Sequence, residues 1–155
     1  MDWKYNEHTP CKTHADYIIR RGILELADYF PFWALQTRSQ KEALLRAAVS
    51  RSVKKGTVLH NGSADCLGLL AVRSGQLRAY ILSSEGREVT IYRLFERDAC
   101  LFSASCMMRN IQFDVTIEAE KDSEVWIIPS VVYRALMDAS VAVANYTNDL
   151  MSCRF

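Results

Sequence analysis

The sequence predicts a mainly β domain, a sandwich or barrel, with helical segments before and after it. Three observations lead there. Between Arg51 and Ile128, short apolar runs are separated by turn signals at Lys55-Gly56, Asn61-Gly62-Ser63, Ser74-Gly75 and Ser83 to Arg87, the spacing of an all-β architecture. No helical stretch lies between those runs, so a parallel sheet built from βαβ units is excluded. On both flanks the apolar period changes from two to that of a helix.

Residues 1–25 read as an arm with a short helical segment. Met1 to Thr13 is polar and contains Pro10, and Tyr17-Ile18-Ile19 and Ile23 to Ala27 fit either a short helix or extended segments interrupted at Gly22. Phe30-Pro31-Phe32-Trp33 is an aromatic cluster suited to packing against a domain, with a peptide-binding or membrane-dipping role as the alternative. Ser39 precedes Glu42 by the capping-box spacing, and Leu44, Leu45 and Ala48 follow, which predicts a helix from Ser39 to Val49 or Ser50.

Strands are then expected at Val53, Val58-Leu59, Leu67 to Val72, Leu77 to Leu82, Val89 to Leu94, Phe113 to Ala119 and Ser123 to Ile128. The pair 77–82 and 89–94, joined by a Gly-containing polar interval, reads as a hairpin ended by Arg97-Asp98. In the next-to-last strand Phe113, Val115, Ile117 and Ala119 alternate with Asp114, Thr116 and Glu118, so the first set faces the core and the second faces water. Ser130 is placed to cap a helix carrying Val132, Tyr133, Leu136 and Met137, and Asp138-Ala139-Ser140 reads as its break. Beyond it Val143, Tyr146, Leu150 and Cys153 recur at three, four and three residues, an a/d stripe that suits either the chain's own sandwich or a partner helix. The chain ends at Arg154-Phe155 in helical phase, the expected appearance of a piece of a longer protein.

Composition narrows the function. With 155 residues, 19 Lys plus Arg and 18 Asp plus Glu, the chain has a net charge of +1, no electrostatic footprint for nucleic acid or an anionic bilayer. No apolar run approaches a membrane span and the N-terminus has no secretory pattern, so a cytoplasmic protein is expected. The five cysteines, Cys11, Cys66, Cys100, Cys106 and Cys153, are irregularly spaced and are expected reduced and mostly buried. Nucleotide-binding glycine motifs, zinc-protease motifs and a nucleophile elbow are absent from the sequence. His8, His14 and His60 lack ligand-like spacing, with His60 read as a surface residue at a strand end. No acid, base or nucleophile is placed for catalysis, so no enzyme, no cofactor and no metal are expected.

The stretch after the hairpin, Ala99 to Met108, is small, sulfur-rich and nearly uncharged, the composition of a packed wall. Together with the hairpin it forms one side of an expected small-molecule pocket lined by Ile91, Leu94, Leu101, Ser103, Ser105 and Met107, closed by Tyr146 with Asn145 or Asn148. The alternative is solid core. Cys100 and Cys106 are candidates for a thiol or metal redox sensor on the same wall, next to the reading of buried structural thiols.

Several local sequences resemble the effector-sensing domain of the cyclic-AMP receptor and fumarate–nitrate reduction (Crp/Fnr) superfamily of bacterial transcription factors. They are Lys55-Gly56-Thr57-Val58-Leu59, Ser74-Gly75-Gln76-Leu77-Arg78, Ser84-Glu85-Gly86-Arg87-Glu88, Ala119-Glu120, Trp126-Ile127-Ile128-Pro129 and the final helix, within roughly Leu26 to Phe155. The resemblance implies a double-stranded β-helix (jelly roll) flanked by N-terminal helices and a C-terminal dimerisation helix. Residues 26–138 would be the sensor, and 139–155 the start of a dimer helix carrying Val143, Tyr146, Leu150 and Cys153. A helix-turn-helix DNA-binding domain is expected beyond the C-terminus and is absent from this sequence. The implied function is effector sensing in a homodimer, coupled to DNA only through that missing domain, with no membrane partner. A ligand-free dimerisation module is the alternative.

Cyclic-nucleotide-binding members carry a Gly-Glu that meets the ribose and a later Arg followed by Ser or Thr that clamps the phosphate. The nearest positions here are Phe102-Ser103 and Phe113-Asp114. An aspartate where a phosphate needs charge-assisted donors is repulsive. The expected effector is therefore a small ligand other than a cyclic nucleotide.

Overall fold

A computed structural model describes residues 26–62, 66–101 and 114–154, the side chains of the last helix being described to Ser152. Among the described residues, eight strands form two antiparallel four-stranded sheets. They are β1 (Val49–Val53), β2 (Val58–Asn61), β3 (Leu69–Ser74), β4 (Leu77–Leu82), β5 (Glu88–Leu94), β6 (Ala99–Cys100), β7 (Thr116–Ala119) and β8 (Ser123–Ile128). One sheet has the order β1-β8-β3-β6 and the other β2-β7-β4-β5. Among the described residues, α1 (Arg38–Ala47), α2 (Ser130–Ala139) and α3 (Val141–Arg154) flank them, with helical residues at 26–29 and a 3-10 turn at Trp33–Leu35. No helix among the described residues is long and apolar enough to cross a membrane.

The glycine turns hold as expected. Gly56, Gly62, Gly75 and Gly86 all have positive φ, the conformation in which a side chain is strained. At the hairpin tip Ser83 N donates to Arg87 O at 2.8 Å and Gly86 N to Ser83 O at 2.9 Å, closing the loop between β4 and β5.

Burial explains why β3 and β8 read as nearly unbroken apolar runs. Leu70 and Val72 of β3, with Val125 and Ile127 of β8, pack between the sheets. Their alternate neighbours Leu69, Ala71, Trp126 and Ile128 pack on the other face, against Leu26, Phe30, Phe32, Trp33, Leu44, Tyr133, Leu136 and Val143. Strand side chains alternate by two, so a strand covered on both faces needs apolar residues at every position. The aromatic cluster is thus core: Phe30, Phe32 and Trp33 are buried.

Several boundaries differ from the sequence expectation. The cap of α1 is Thr37, whose hydroxyl accepts from Gln40 N while the Gln40 side chain accepts from Thr37 N, so the reciprocal box begins two residues before Ser39. The helix ends at Ala47, and Val49 already pairs with Ile127. Pro129, not Ser130, precedes α2, with no side-chain cap. The second strand of the hairpin does end at Leu94 as expected, and Arg97, with φ 72, lies in the turn beyond it, where Asp98 Oδ2 accepts from Phe95 N at 2.9 Å. Thr116 is buried despite its outward register, its hydroxyl donating to Asn61 Oδ1 at 3.3 Å. Val115, Ile117 and Ala119 face the core as expected, while Phe113 lies outside the described residues.

Candidate functional site

The hairpin separates two chemistries onto its two faces. On β4, Leu77, Ala79 and Ile81 point between the sheets, whereas Arg78 and Tyr80 point outward. Pairing with β5 is interrupted by a bulge at Ala79/Tyr80, so Ala79 opposes Tyr92 and Tyr80 opposes Thr90. Ile91 is the extra residue of this bulge and packs, with Ile81 and Tyr92, against the inner core.

The outer face is an ion-pair network. Arg78 Nη2 donates to Glu88 and, at 3.2 Å, to Glu118, and its guanidinium lies 4.3 Å from the Tyr80 ring centroid. Arg93 Nε donates to Glu120 at 3.0 Å, and Gln76 Nε2 donates to the same carboxylate at 2.6 Å. Burial pushes the Glu120 carboxyl upward, but the hydrogen bonds from Arg93 and Gln76 outweigh it and hold the group below its ordinary range. The Glu88 hydrogen bond raises the Arg78 guanidinium further, and burial followed by the charge of Glu88 raises the Tyr80 phenol. Arg78 and Arg93 are therefore outward sheet residues, each engaged by carboxylates.

The inner face is apolar with a few polar groups. Where the edge strands β5 and β6 meet, Tyr92 Oη and Cys100 Sγ are 3.2 Å apart, a hydrogen bond from one sheet to the other. Beyond it the inner side of the hairpin opens: Val89, opposite Ile81, is 49% exposed. Cys100 is a free thiol, 1% exposed. Cys66 departs from the expectation of reduced cysteines, because it is disulfide-bonded, with a partner outside the described side chains. His60 also departs from its expected surface position, being 1% exposed. A bulge between Val58 and His60 sets His60 opposite Ile117, whose side chain points into the core, so the imidazole turns inward with it.

The described members of the expected pocket do not share one lining. Ile91, Leu94 and Cys100 lie between the sheets. Leu101, the next residue after Cys100, falls on the opposite face among the helices, as strand alternation requires. Tyr146 is on that side too, its ring edge-on to Phe32 with centroids 5.1 Å apart. Asn145 and Asn148 are exposed on the far side of α3. Ser103, Ser105, Cys106 and Met107 lie outside the described residues. Of the expected dimer stripe, Val143 is fully buried and Tyr146 and Leu150 pack against the chain's own core. The side chain of Cys153 is outside the description.

Sequence reading missed His60 and Tyr92 as inner-face residues, since each position depends on a bulge. It also missed the Tyr133–Thr147 hydroxyl pair, 2.7 Å apart and buried, that ties α2 to α3. Thr147 at four residues from Val143 was the available signal. A separate concavity of about 350 Å³ lies between β1 and the turns at Ser74 and Asp122; its lysine and aspartate, Lys54 and Asp122, pair with one another at 3.4 Å. Among the described residues no three His, Cys, Asp or Glu side chains converge as a metal site.

The family profile described as the cyclic nucleotide-binding domain matches residues 50–140. The chain is 58% identical, with a TM-score of 0.80, to the crystal structure of a protein described as a Crp/Fnr-family transcriptional regulator from Eubacterium rectale, over 83% of this chain and 59% of that one. Less than two thirds of that relative is therefore spanned. The sensor domain of the transcriptional regulator DNR from Pseudomonas aeruginosa shares the fold at 19% identity, TM-score 0.72, over 88% of this chain and 90% of that one. So does the catabolite activator protein of Thermus thermophilus, at 21% identity and TM-score 0.59, over 80% and 57% of the respective chains. No curated protein matches the sequence. The family is a ligand-binding domain rather than an enzyme family, and the two sheets are its jelly roll. With the profile extending from the first strand through α2, the chain belongs to the cyclic nucleotide-binding domain family.

Proposed function

We propose that the chain is the effector-sensing domain of a Crp/Fnr-type transcription regulator whose ligand is a small, largely apolar molecule other than a cyclic nucleotide. The observation that carries this reading is the orientation of the hairpin's cations. Arg78 and Arg93 both point away from the interior and are held by Glu88, Glu118 and Glu120, so neither can clamp a phosphate between the sheets. Asp114, at the position nearest the family's phosphate-binding Arg-Ser pair, adds negative charge. The proposed site is the inner side of the hairpin around Ile81, Val89, Ile91 and Tyr92, with Ser103, Ser105 and Met107 contributing on the strength of the sequence. Binding there would bias one arrangement of α3 over another and so reach a DNA-binding portion farther along the full-length protein. The working assembly is a homodimer in the cytoplasm.

Thermal-shift measurements with cyclic AMP and cyclic GMP at millimolar concentration test the ligand class. No saturable shift is expected, and a shift that saturates would overturn it. Native mass spectrometry of protein purified from its own host should show a bound organic mass. An empty protein there, with no shift from any member of a metabolite panel, would favour a ligand-free dimerisation module. A redox role for Cys100 and Cys106 gains nothing from the described residues, because the Cys100 thiol is sealed between the sheets behind Tyr92.

A further inference from the structure

Helices α2 and α3 are joined by one residue, Ser140, whose backbone is extended at φ −132 and ψ 116. Its amide closes the last turn of α2, donating to Leu136 O at 2.8 Å, and its carbonyl accepts from Ala144 N at 3.1 Å in the first turn of α3. Its hydroxyl oxygen accepts from Val143 N at 3.4 Å, a side-chain cap on α3. The same oxygen accepts a second bond, at 3.1 Å, from Gln36 Nε2 at the end of the 3-10 turn. Gln36 is 6% exposed. Its amide nitrogen also donates to Phe32 O at 3.2 Å, while its Oε1 is buried with no hydrogen-bond partner among the described residues. Turning the carboxamide over would set Oε1 against the Phe32 carbonyl, acceptor to acceptor, so the donor side is the one that faces Ser140.

We infer that Gln36 is a latch on the α2–α3 elbow, a positioning residue that holds α3 at its present angle weakly enough for an effector to release it. Phe32, from the same turn, has its ring edge-on to Tyr146 of α3 at 5.1 Å, so this turn grips α3 both at the elbow and along its length. A pivot of α3 about Ser140 carries Oγ away from Gln36 Nε2. Little is lost in that release. Ser140 Oγ keeps the Val143 amide as donor, and Phe32 O keeps Leu35 N at 3.1 Å. Two neutral bonds from Nε2 favour the closed arrangement, whereas the buried Oε1 opposes it, because a released carboxamide regains water at that oxygen. The closed and released arrangements are therefore close in free energy. That closeness is the condition under which a ligand of modest preference shifts a population. Coupling to an effector rests on the sensing reading above; the latch itself does not.

Amide hydrogen exchange of the ligand-free 155-residue chain at pH 7 tests the latch. Gln36→Met keeps the length of the side chain and removes its donor, and Ser140→Ala removes the acceptor. Each should quicken exchange of the α3 amides by about fivefold or more and leave those of β3 and β8 within about twofold, since one neutral hydrogen bond shifts a local opening equilibrium by about that factor. The two changes break the same bond, so the double variant should quicken exchange by less than the product of the singles. Gln36→Glu supplies the conservative rescue. Its protonated carboxyl still donates to Ser140 Oγ and its ionised form cannot, so its excess α3 exchange over the natural chain should shrink as pH falls. Unchanged α3 amides in Gln36→Met, a double variant at the full product, or a uniform quickening through β3 and β8 would each overturn the latch, the last by making Gln36 ordinary core. Failure to find an effector would unseat the sensing reading and leave the exchange result standing.

Discussion

Replacing Thr147 by valine should cost more stability than replacing Thr147 and Tyr133 together. Thr147 Oγ1 donates to Val143 O at 2.8 Å, so its hydrogen is committed and the bond to Tyr133, at 2.7 Å, must be donated by the phenol. Tyr133 is fully buried. Thr147→Val keeps the shape but leaves that phenol hydrogen without an acceptor, which costs about 1–3 kcal/mol. Tyr133→Phe removes the donor and leaves only an acceptor lone pair unmet, a loss of about 0.5–1.5 kcal/mol. In the double variant both partners are apolar and of nearly native shape, so the desolvation penalty of Thr147→Val disappears and the loss should fall below that of the single change. Urea unfolding at pH 7 reads this as midpoints. With a slope of roughly 2 kcal/mol per molar, Thr147→Val should lower the midpoint by about 1 M and the double variant by less. A double variant as unstable as the sum of the two singles would refute the assignment of donor and acceptor, and with it the idea that this pair fastens α3 to α2.

The same phenol makes an alkaline prediction. Burial pushes Tyr133 from its ordinary value up to about 12 in the folded state, so its contribution is complete below about pH 10 and is lost as pH rises through about 12; Tyr133→Phe should flatten that alkaline limb in urea midpoints, and an unchanged slope would count against it. Glu120 works in the opposite window. Its folded carboxyl sits below the ordinary range, so the stability it confers is present above that range and lost as pH falls through the folded value; the gap in melting temperature between the natural chain and Glu120→Gln should close on acidification, and a constant gap would remove Glu120 from the network. Gly68→Ala should be severe, since a Cβ would stand 1.9 Å from Ile128 O at a φ of +116, with a loss of at least about 3 kcal/mol. Gly86→Ala, at φ +78 with nothing within 4 Å, should lose only about 1–2 kcal/mol from backbone strain; equal losses at the two sites would contradict the close approach at Gly68.

Much of the architecture is legible because it depends on neighbours in sequence. Positive-φ glycines mark turns wherever they fall, and the alternation Val115, Ile117, Ala119 or Leu69 to Val72 follows from the strand period. The candidate site is less legible for an equally physical reason. Which face a strand residue takes is settled by register, and a single bulge reverses it: one turns His60 inward, and another interrupts the hairpin at Ile91. Cys100 and Leu101, neighbours in one expected wall, part to opposite faces for the same cause.

The sequence by itself determined the class of the domain, the hairpin and its tip, and the helical flanks. Those are properties of local pattern and residue chemistry. Only the tertiary structure decided that Arg78 and Arg93 face outward into carboxylates, that Tyr92 reaches Cys100 across the sheets, and that α3 turns Val143 rather than Asn148 toward the body. A helix with apolar or small residues on two faces can bury either of them. Which one is taken depends on what packs against it, here the aromatic side chains Phe32 and Tyr133 and the sheet beneath them.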